Sequence, residues 1–166
     1  MINELLLTEF DEEANKTRAI LERVPILADF KPHTKSMPLG KLAPHVAELP
    51  SFGVNVLTTP ELDLANLRQR TRPPFSSVEQ LVKTFDEGAA ELRGALKNTP
   101  DAAWSESWKL SFGGKPIFGG SRFLAYRQMF LNHLVHHRAQ LGVYLRLNDK
   151  PLPATYGPSA DDTMGF

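Results

Sequence analysis

The sequence predicts an all-α protein, a four-helix bundle with a short irregular or hairpin insert between the third and fourth helices. Three observations favour this fold class. Apolar residues recur at spacings of three and four over four long stretches. Strict alternation of apolar and polar residues is confined to one short stretch. The 166 residues fit one domain, 1–166, and are enough to bury a real core.

The first helix is predicted over residues 2–23. Its apolar residues recur at helical spacing, and acidic residues come early while arginines come late, which suits the helix dipole. Pro25 is expected to end it. Residues 25–37 mix turn formers with prolines and are predicted as a connection.

The second helix is predicted in a stretch that contains two prolines. It is expected to begin near Pro38 and to carry the stretch LGKLAPHVAELPSFGVNVL. Pro44 and Pro50 lie within this stretch, and each removes a backbone donor and can kink a helix. Residues 58–75 are predicted as a loop.

The third helix has the clearest boundaries. Ser76 and Glu79 fit a capping box, in which the hydroxyl and the carboxylate satisfy free amides of the first turn. A regular apolar stripe follows, and the helix is expected to end near residues 98–100.

The insert covers residues 101–119. Apolar residues alternate in the stretch SWKLSF, and two glycines follow, which is typical of a short hairpin. The last helix is predicted over residues 121–147, and a tail containing proline and glycine comes after it.

The charge and residue counts exclude several classes of function. Lys+Arg and Asp+Glu both number 19, so nothing indicates a binder of nucleic acid or of an anionic membrane. The chain has no cysteine, which excludes disulfides, thiolate ligands and a cysteine nucleophile. The N-terminal segment does not resemble a signal peptide, and no apolar run is long enough to span a membrane, so we expect a cytoplasmic protein.

Three of the five histidines lie close together in the last helix. Positions four apart on a helix differ by about 40°, so His133 and His137 point the same way, towards the face that a bundle buries. His136 is rotated about 60° from His133 and about 100° from His137, so it is not expected to share their site. Two histidines at this spacing can bind one metal ion, but a third ligand is needed to hold it well. His33 and His45 are the candidates for this third ligand. The alternative to a metal site is that all these histidines only pack in the core.

Three segments resemble the DinB family of the DinB/YfiT-like superfamily: KLAPHVAELPSF in the second helix, NHLVHHRAQLGVYLR in the last, and PLPATYGPSADD in the tail. Members of that family are four-helix bundles that hold a divalent metal ion with one histidine of the second helix and an H-x-x-x-H pair of the last. The resemblance therefore implies His45, His133 and His137 as ligands, and it favours His45 over His33.

The resemblance also implies a metal-dependent enzyme, either a thiol-dependent S-transferase or a hydrolase, that acts on a small molecule. The alternative is a non-catalytic, metal-binding and stress-responsive interaction protein. Three neutral imidazoles leave a coordination position open, which is typical of catalytic sites. Zinc is the first expectation, with nickel, iron or manganese as alternatives. Any thiol has to come from an external low-molecular-weight cosubstrate, and relatives lead us to expect a homodimer.

Four further residues are candidates for the site. Glu48, one turn after His45, is a candidate general base, although such a glutamate is often solvated or paired with an arginine. Gln140 and Tyr144 continue the ligand face and are expected either to line a substrate pocket or to pack in the core. Arg138 is a candidate anchor for an anionic substrate, with a salt bridge as the alternative.

Overall fold

The computed structural model describes residues 2–68 and 75–165. These described residues are mostly helical and carry one small sheet. Within the described residues, no helix is both long and apolar enough to cross a membrane. The elements are, in order, α1 (Ile2–Leu21), α2 (Leu39–Thr58), β1 (Glu61–Asp63), α3 (Leu64–Arg68), α4 (Val78–Asn98), a 3-10 helix (Asp101–Ser105), β2 (Ser107–Phe112), β3 (Lys115–Ser121), α5 (Arg122–Leu124), a π-helix (Ala125–Leu131) and α6 (Asn132–Arg146).

The first two helices follow the sequence pattern closely. α1 ends at Leu21, two residues before the predicted end, and α2 begins directly after Pro38. Pro44 and Pro50 both lie inside α2, so neither starts nor ends it. Each proline costs α2 one backbone hydrogen bond. Burial compensates for these losses, because the apolar residues of α2 pack into the core against both α4 and the last helical segment.

The residue that caps α4 differs from the predicted one. The Ser77 hydroxyl accepts the backbone N–H of Gln80 at 3.2 Å. In return, the Gln80 Oε1 atom accepts the backbone N–H of Ser76 at 3.0 Å. The predicted box of Ser76 and Glu79 is therefore wrong by one position. Two overlapping pairs, Ser76 with Glu79 and Ser77 with Gln80, fit the same capping pattern, and the sequence did not decide between them.

The predicted hairpin is confirmed, and it belongs to a sheet that the all-α prediction did not include. β2 and β3 pair antiparallel, and β1 pairs parallel with β2, giving the order β1-β2-β3. β1 and α3 lie in the stretch 58–75 that was predicted as a loop. A strand of three residues is too short to show an alternating pattern. Residues 69–74 of that stretch lie outside the described residues.

The carboxylate of Asp63 ties β1 to the hairpin turn. It accepts the backbone N–H groups of Gly113 and Gly114 at 2.8 and 2.9 Å. Both glycines have positive φ values, +57° and +78°, which glycine adopts without steric cost. Hydrogen bonds from the backbone of Ala65, Gly114 and Gly113 hold the pKa of the Asp63 carboxyl below its usual range. The sheet is thus fixed at one end by an ionised side chain.

The last helical segment runs from Arg122 to Arg146, close to the predicted 121–147. Its middle is a π-helix, and the N–H of Asn132 donates to the carbonyl of Arg127, five residues earlier. α2 packs against α4, the π-helix and α6, while α1 packs against α4 and α6. The core lies between these elements.

Arg122 joins the last helical segment to the end of α2. Its buried guanidinium donates from Nη1 to three carbonyl oxygens, those of Val56, Leu57 and Thr59, at 2.6, 3.1 and 2.9 Å. Carbonyls at a helix end lack partners within the helix, so this contact satisfies them. His45 lies eleven positions before Val56, and His133 lies eleven positions after Arg122. The two segments run antiparallel, and this register brings the two histidines to the same level.

Candidate metal centre

His45, His133 and His137 form one half-buried cluster between α2 and α6. One ring nitrogen of each lies within 4.8 Å of those of the other two. His45 Nε2 and His133 Nε2 are 3.3 Å apart. The three ring centroids are separated by 4.5 to 5.0 Å. Within the described residues, this is the one group of three or more histidine or acidic side chains close enough to hold a metal ion.

The helices explain why these rings meet. His133 and His137 are one turn apart on α6 and so project from the same face, as the spacing predicted. His45 lies in the N-terminal half of α2, which packs against that face. Fully buried leucines, Leu134 and Leu141, flank the two histidines of α6 and anchor the helix in the core.

Hydrogen bonds at Nδ1 orient both histidines of α6. The Nδ1 atom of His133 lies 3.2 Å from the carbonyl oxygen of Met129, and that of His137 lies 2.7 Å from Oε1 of Gln140. An imidazole that donates from Nδ1 keeps its lone pair on Nε2, where a metal ion can bind it. The role of Met129 was not predicted from the sequence. Its position four residues before His133 is the available signal, but backbone carbonyls are too common for that spacing to be specific.

The surroundings keep these imidazoles neutral. Burial holds the pKa of His133 below its usual value, and the nearby His137 lowers it further, against the hydrogen bond to Met129. Burial also lowers the pKa of His137, the hydrogen bond to Gln140 opposes this, and the neighbouring His136 adds to it. Neutral histidines are the form that binds metal ions, so both rings are ready to act as ligands near pH 7.

The cluster fits a metal ion in its spacing and its donors. Two histidine nitrogens at about 2.0–2.1 Å from a tetrahedral zinc ion lie about 3.3–3.4 Å apart. The separation between the Nε2 atoms of His45 and His133 is 3.3 Å. Imidazole donors suit zinc, nickel, iron and copper, so the ligand set does not determine which ion binds. Among the described residues, no carboxylate belongs to this group of possible ligands.

The other two histidines stay outside the cluster. His136 is exposed, and although its ring centroid lies 4.9 Å from that of His137, it is not part of the group. His33 is an exposed residue of the connection before α2, and its Nδ1 accepts the backbone N–H of Lys35 at 3.2 Å. The structure thus places His45, rather than His33, beside the pair on α6.

Gln140 and Tyr144 both continue the ligand face, but Gln140 contacts a histidine whereas Tyr144 packs in the core. Gln140 is exposed, and its side-chain oxygen contacts His137. Tyr144 is buried, and its hydroxyl donates to the carbonyl of Met37 at 2.7 Å while its ring meets Phe30 edge-on. Tyr144 therefore fastens the connection between α1 and α2 to α6, which is the packing role that the sequence left open.

Arg138 lies in a buried ion pair with Glu13 of α1. Its Nη1 atom is 2.6 Å from Oε2 of Glu13, and both residues are buried. Tyr156 completes the network, because its hydroxyl donates to Glu13 and accepts from Arg138, each at 2.7 Å. The salt bridge that was the alternative interpretation is what the structure shows. The charge of Arg138 is therefore paired with that of Glu13.

Glu48 also lies outside the three-histidine group. It is half-buried and borders a groove of about 150 Å³ between α2 and α4, together with Pro44, Phe75 and Gln80. Glu48 follows His45 by three positions on α2, which rotates it about 60° away from the ligand. Its role as a general base therefore stays a prediction.

The fold is DinB-like. The chain matches the crystal structure of a DinB-like protein, YjoA from Bacillus subtilis, with a TM-score of 0.63 over 87% of this chain and 92% of that chain. The two sequences are 19% identical, so the likeness shows the fold alone. No family model matches the chain, and no curated protein matches it either. The fold agrees with the resemblance carried by the three sequence segments.

Proposed function

We propose that the protein is a metal-dependent enzyme of the DinB family that binds a divalent metal ion through His45, His133 and His137 and acts on a small molecule. The observation that carries this proposal is the cluster itself, in which three imidazoles from two helices bring their ring nitrogens within 4.8 Å of one another. The DinB-like fold supports it. Zinc is the ion we propose first, with nickel, iron and manganese as alternatives.

The residues of this chain would hold and orient the site. His45, His133 and His137 supply three ligands, and the contacts of Met129 and Gln140 fix the two rings on α6. A divalent ion bound there would act as a Lewis acid and favour the ionised form of a water or thiol at the open position. Because all three ligands are neutral, they would leave the ion's positive charge available to an anionic nucleophile.

Two reactions use such a nucleophile, and we propose thiol transfer first. The sulfur of an external thiol attacks an electrophilic carbon, an S–C bond forms, the leaving group departs with its bonding electrons, and the thiol proton passes to solvent. In the hydrolytic alternative, a water oxygen attacks an acyl carbon, a C–O bond forms, the leaving group departs with its bonding electrons, and one proton of the water passes to the leaving group or to solvent. The chain has no cysteine, so the sulfur has to come from a low-molecular-weight cosubstrate.

Activity assays on metal-loaded protein test the proposal. The parent protein, loaded with zinc, nickel, iron or manganese, is given cysteine or glutathione with 1-chloro-2,4-dinitrobenzene, and separately p-nitrophenyl acetate. We expect turnover in one assay and its loss in the His137→Ala variant. A protein that binds metal but turns over neither probe would support the alternative, a non-catalytic metal-binding protein.

We further propose that the chain is a single DinB/YfiT-like domain, 1–166, in which α1, α2, α4 and the last helical segment form a four-helix bundle. The packing of α2 and of α1, each against α4 and α6, supports this arrangement. A homodimer is also proposed, and sedimentation analysis of the purified protein tests it.

A further inference from the structure

We propose that Gln140 is a positioning residue, whose side-chain oxygen holds His137 in the tautomer and ring orientation that present Nε2 to the metal ion. This inference rests on the proposed metal site and gives Gln140 a role other than substrate binding. The contact that supports it is the 2.7 Å hydrogen bond between His137 Nδ1 and Gln140 Oε1.

The two histidines of α6 reach the same orientation by different means. His133 uses the backbone carbonyl of Met129, four residues earlier, at 3.2 Å. His137 uses the side chain of Gln140, three residues later and therefore on a neighbouring position of the helix surface. A backbone carbonyl is present whatever the side chain. The Gln140 contact, in contrast, depends on the residue type, so it can be removed by one substitution.

An acceptor at Nδ1 matters because a neutral imidazole carries a single N–H. In water, histidine favours the tautomer with the proton on Nε2, which blocks the nitrogen that would bind the metal. A carbonyl oxygen next to Nδ1 draws the proton there and leaves the Nε2 lone pair exposed. Hydrogen-bond acceptors of this kind also raise the basicity of a histidine ligand, and their loss typically weakens metal binding about 10- to 100-fold.

The first test reads the tautomer of His137 in the metal-free protein. Long-range ¹H–¹⁵N correlation spectra of ¹⁵N-histidine-labelled protein distinguish a protonated Nδ1 from a protonated Nε2. We expect His137 to carry its proton on Nδ1 in the parent and in Gln140→Glu, which keeps an acceptor oxygen. We expect a shift towards the Nε2–H form in Gln140→Leu. An unchanged tautomer in Gln140→Leu would overturn the inference, as would an Nε2–H tautomer in the parent.

The second test measures zinc affinity by competition with a chromogenic chelator. Gln140→Leu should bind zinc about 10- to 100-fold more weakly than the parent, and Gln140→Glu should bind at least as tightly as the parent. Gln128→Leu is the matched control, since it makes the same change at another exposed glutamine of the last helical segment and should leave the affinity unchanged. Equal affinities of the parent and Gln140→Leu would overturn the inference while leaving the metal site intact. If the Nδ1–H tautomer of the parent is lost in Gln140→Leu, but the parent binds no zinc, nickel, iron or manganese, the proposed function would be overturned while the control of the His137 tautomer by Gln140 would be upheld.

Discussion

His45 and His133 bring their Nε2 atoms to 3.3 Å of each other across 88 positions of sequence. Two neutral imidazoles at this distance share at most one proton between the facing nitrogens, whereas a cation between them would engage both lone pairs. The pair also connects two elements that are far apart in sequence, α2 and α6. Metal binding is therefore expected to stabilise the packing of these helices.

Metal is expected to raise the thermal stability of the parent protein. At a free metal concentration about 100 times the dissociation constant, ligand binding adds about 2.7 kcal/mol to the free energy of unfolding. For a chain of this size each kcal/mol corresponds to roughly 2–4 °C in Tm, so the shift should be roughly 5–11 °C. Scanning fluorimetry with zinc and with a chelator measures it.

The matched variants are His45→Ala and His33→Ala. The first removes a ligand and should lose the shift, while the second removes an exposed histidine of the connection and should keep it. An equal shift in the two variants would show that zinc binds elsewhere.

The stability of the metal-free protein should fall as the pH falls below 6.5. The pKa values of His133 and His137 are lowered from 6.5 in the folded state. The unfolded chain therefore takes up protons at a higher pH than the folded chain, and unfolding becomes more favourable as pH decreases through this range. Above about pH 7.5, one unit over the ordinary histidine value, both rings are largely neutral in both states, so they contribute little to the pH dependence there.

Urea unfolding in the presence of a chelator, from about pH 7.5 to about pH 5.5, measures this dependence. The comparison is a double variant in which His133 and His137 are both replaced by Ala. Its stability should depend less steeply on pH over this range. Parallel pH profiles for the parent and the double variant would contradict the assignment.

The ion pair between Glu13 and Arg138 should contribute strongly to stability. Burial alone would raise the pKa of the Glu13 carboxyl, but the hydrogen bond from Tyr156 and the charge of Arg138 hold it below its usual value. Glu13→Ala leaves a buried guanidinium without its counter-charge, which should cost about 3–5 kcal/mol. Tyr156→Phe removes one hydroxyl from the same network and should cost about 1–2 kcal/mol. Urea unfolding that gives equal, small losses for the two variants would show that Arg138 is not held by this pair.

Two glycines of α4 should respond to alanine in opposite ways. A Cβ at Gly94 would meet nothing within 4 Å, so Gly94→Ala should stabilise the protein by about 0.5–1 kcal/mol through helix propensity. A Cβ at Gly88 would lie 2.9 Å from the Ser51 hydroxyl and 3.3 Å from the Ser51 backbone nitrogen, so Gly88→Ala should destabilise the contact between α4 and α2. Thermal unfolding of the two variants checks this prediction. A gain in stability for both variants would mean that α4 and α2 separate easily.

The site could be predicted from sequence to the extent that it lies on one helix. The spacing of His133 and His137 places both rings on one face, whatever the rest of the fold does. The contribution of His45 depends on how α2 packs, and only the resemblance to a known family favoured it over His33. The partner of Arg138 could not be predicted from the sequence either. Glu13 lies 125 positions away, and no local sequence pattern links the two residues.

There are also physical reasons why the sequence did not predict some of the local structures. β1 consists of three residues and forms because β2 offers it an edge, so its cause is not local. The π-helix between Ala125 and Leu131 has the same apolar spacing as an ordinary helix and so gives no signal in the sequence. Ser76 and Ser77 are equally good caps by composition, and the structure shows Ser77 in that position.

The central claim, that three histidines hold a metal ion, is tested most directly by elemental analysis of tag-free protein purified without chelators. The parent and the His136→Ala variant should each contain about one divalent ion per chain, and the His133→Ala and His137→Ala variants should contain almost none, because two ligands hold an ion poorly. A parent that contains no metal, even after reconstitution with zinc, nickel, iron and manganese, would contradict the claim, and so would full metal content in the His133→Ala and His137→Ala variants.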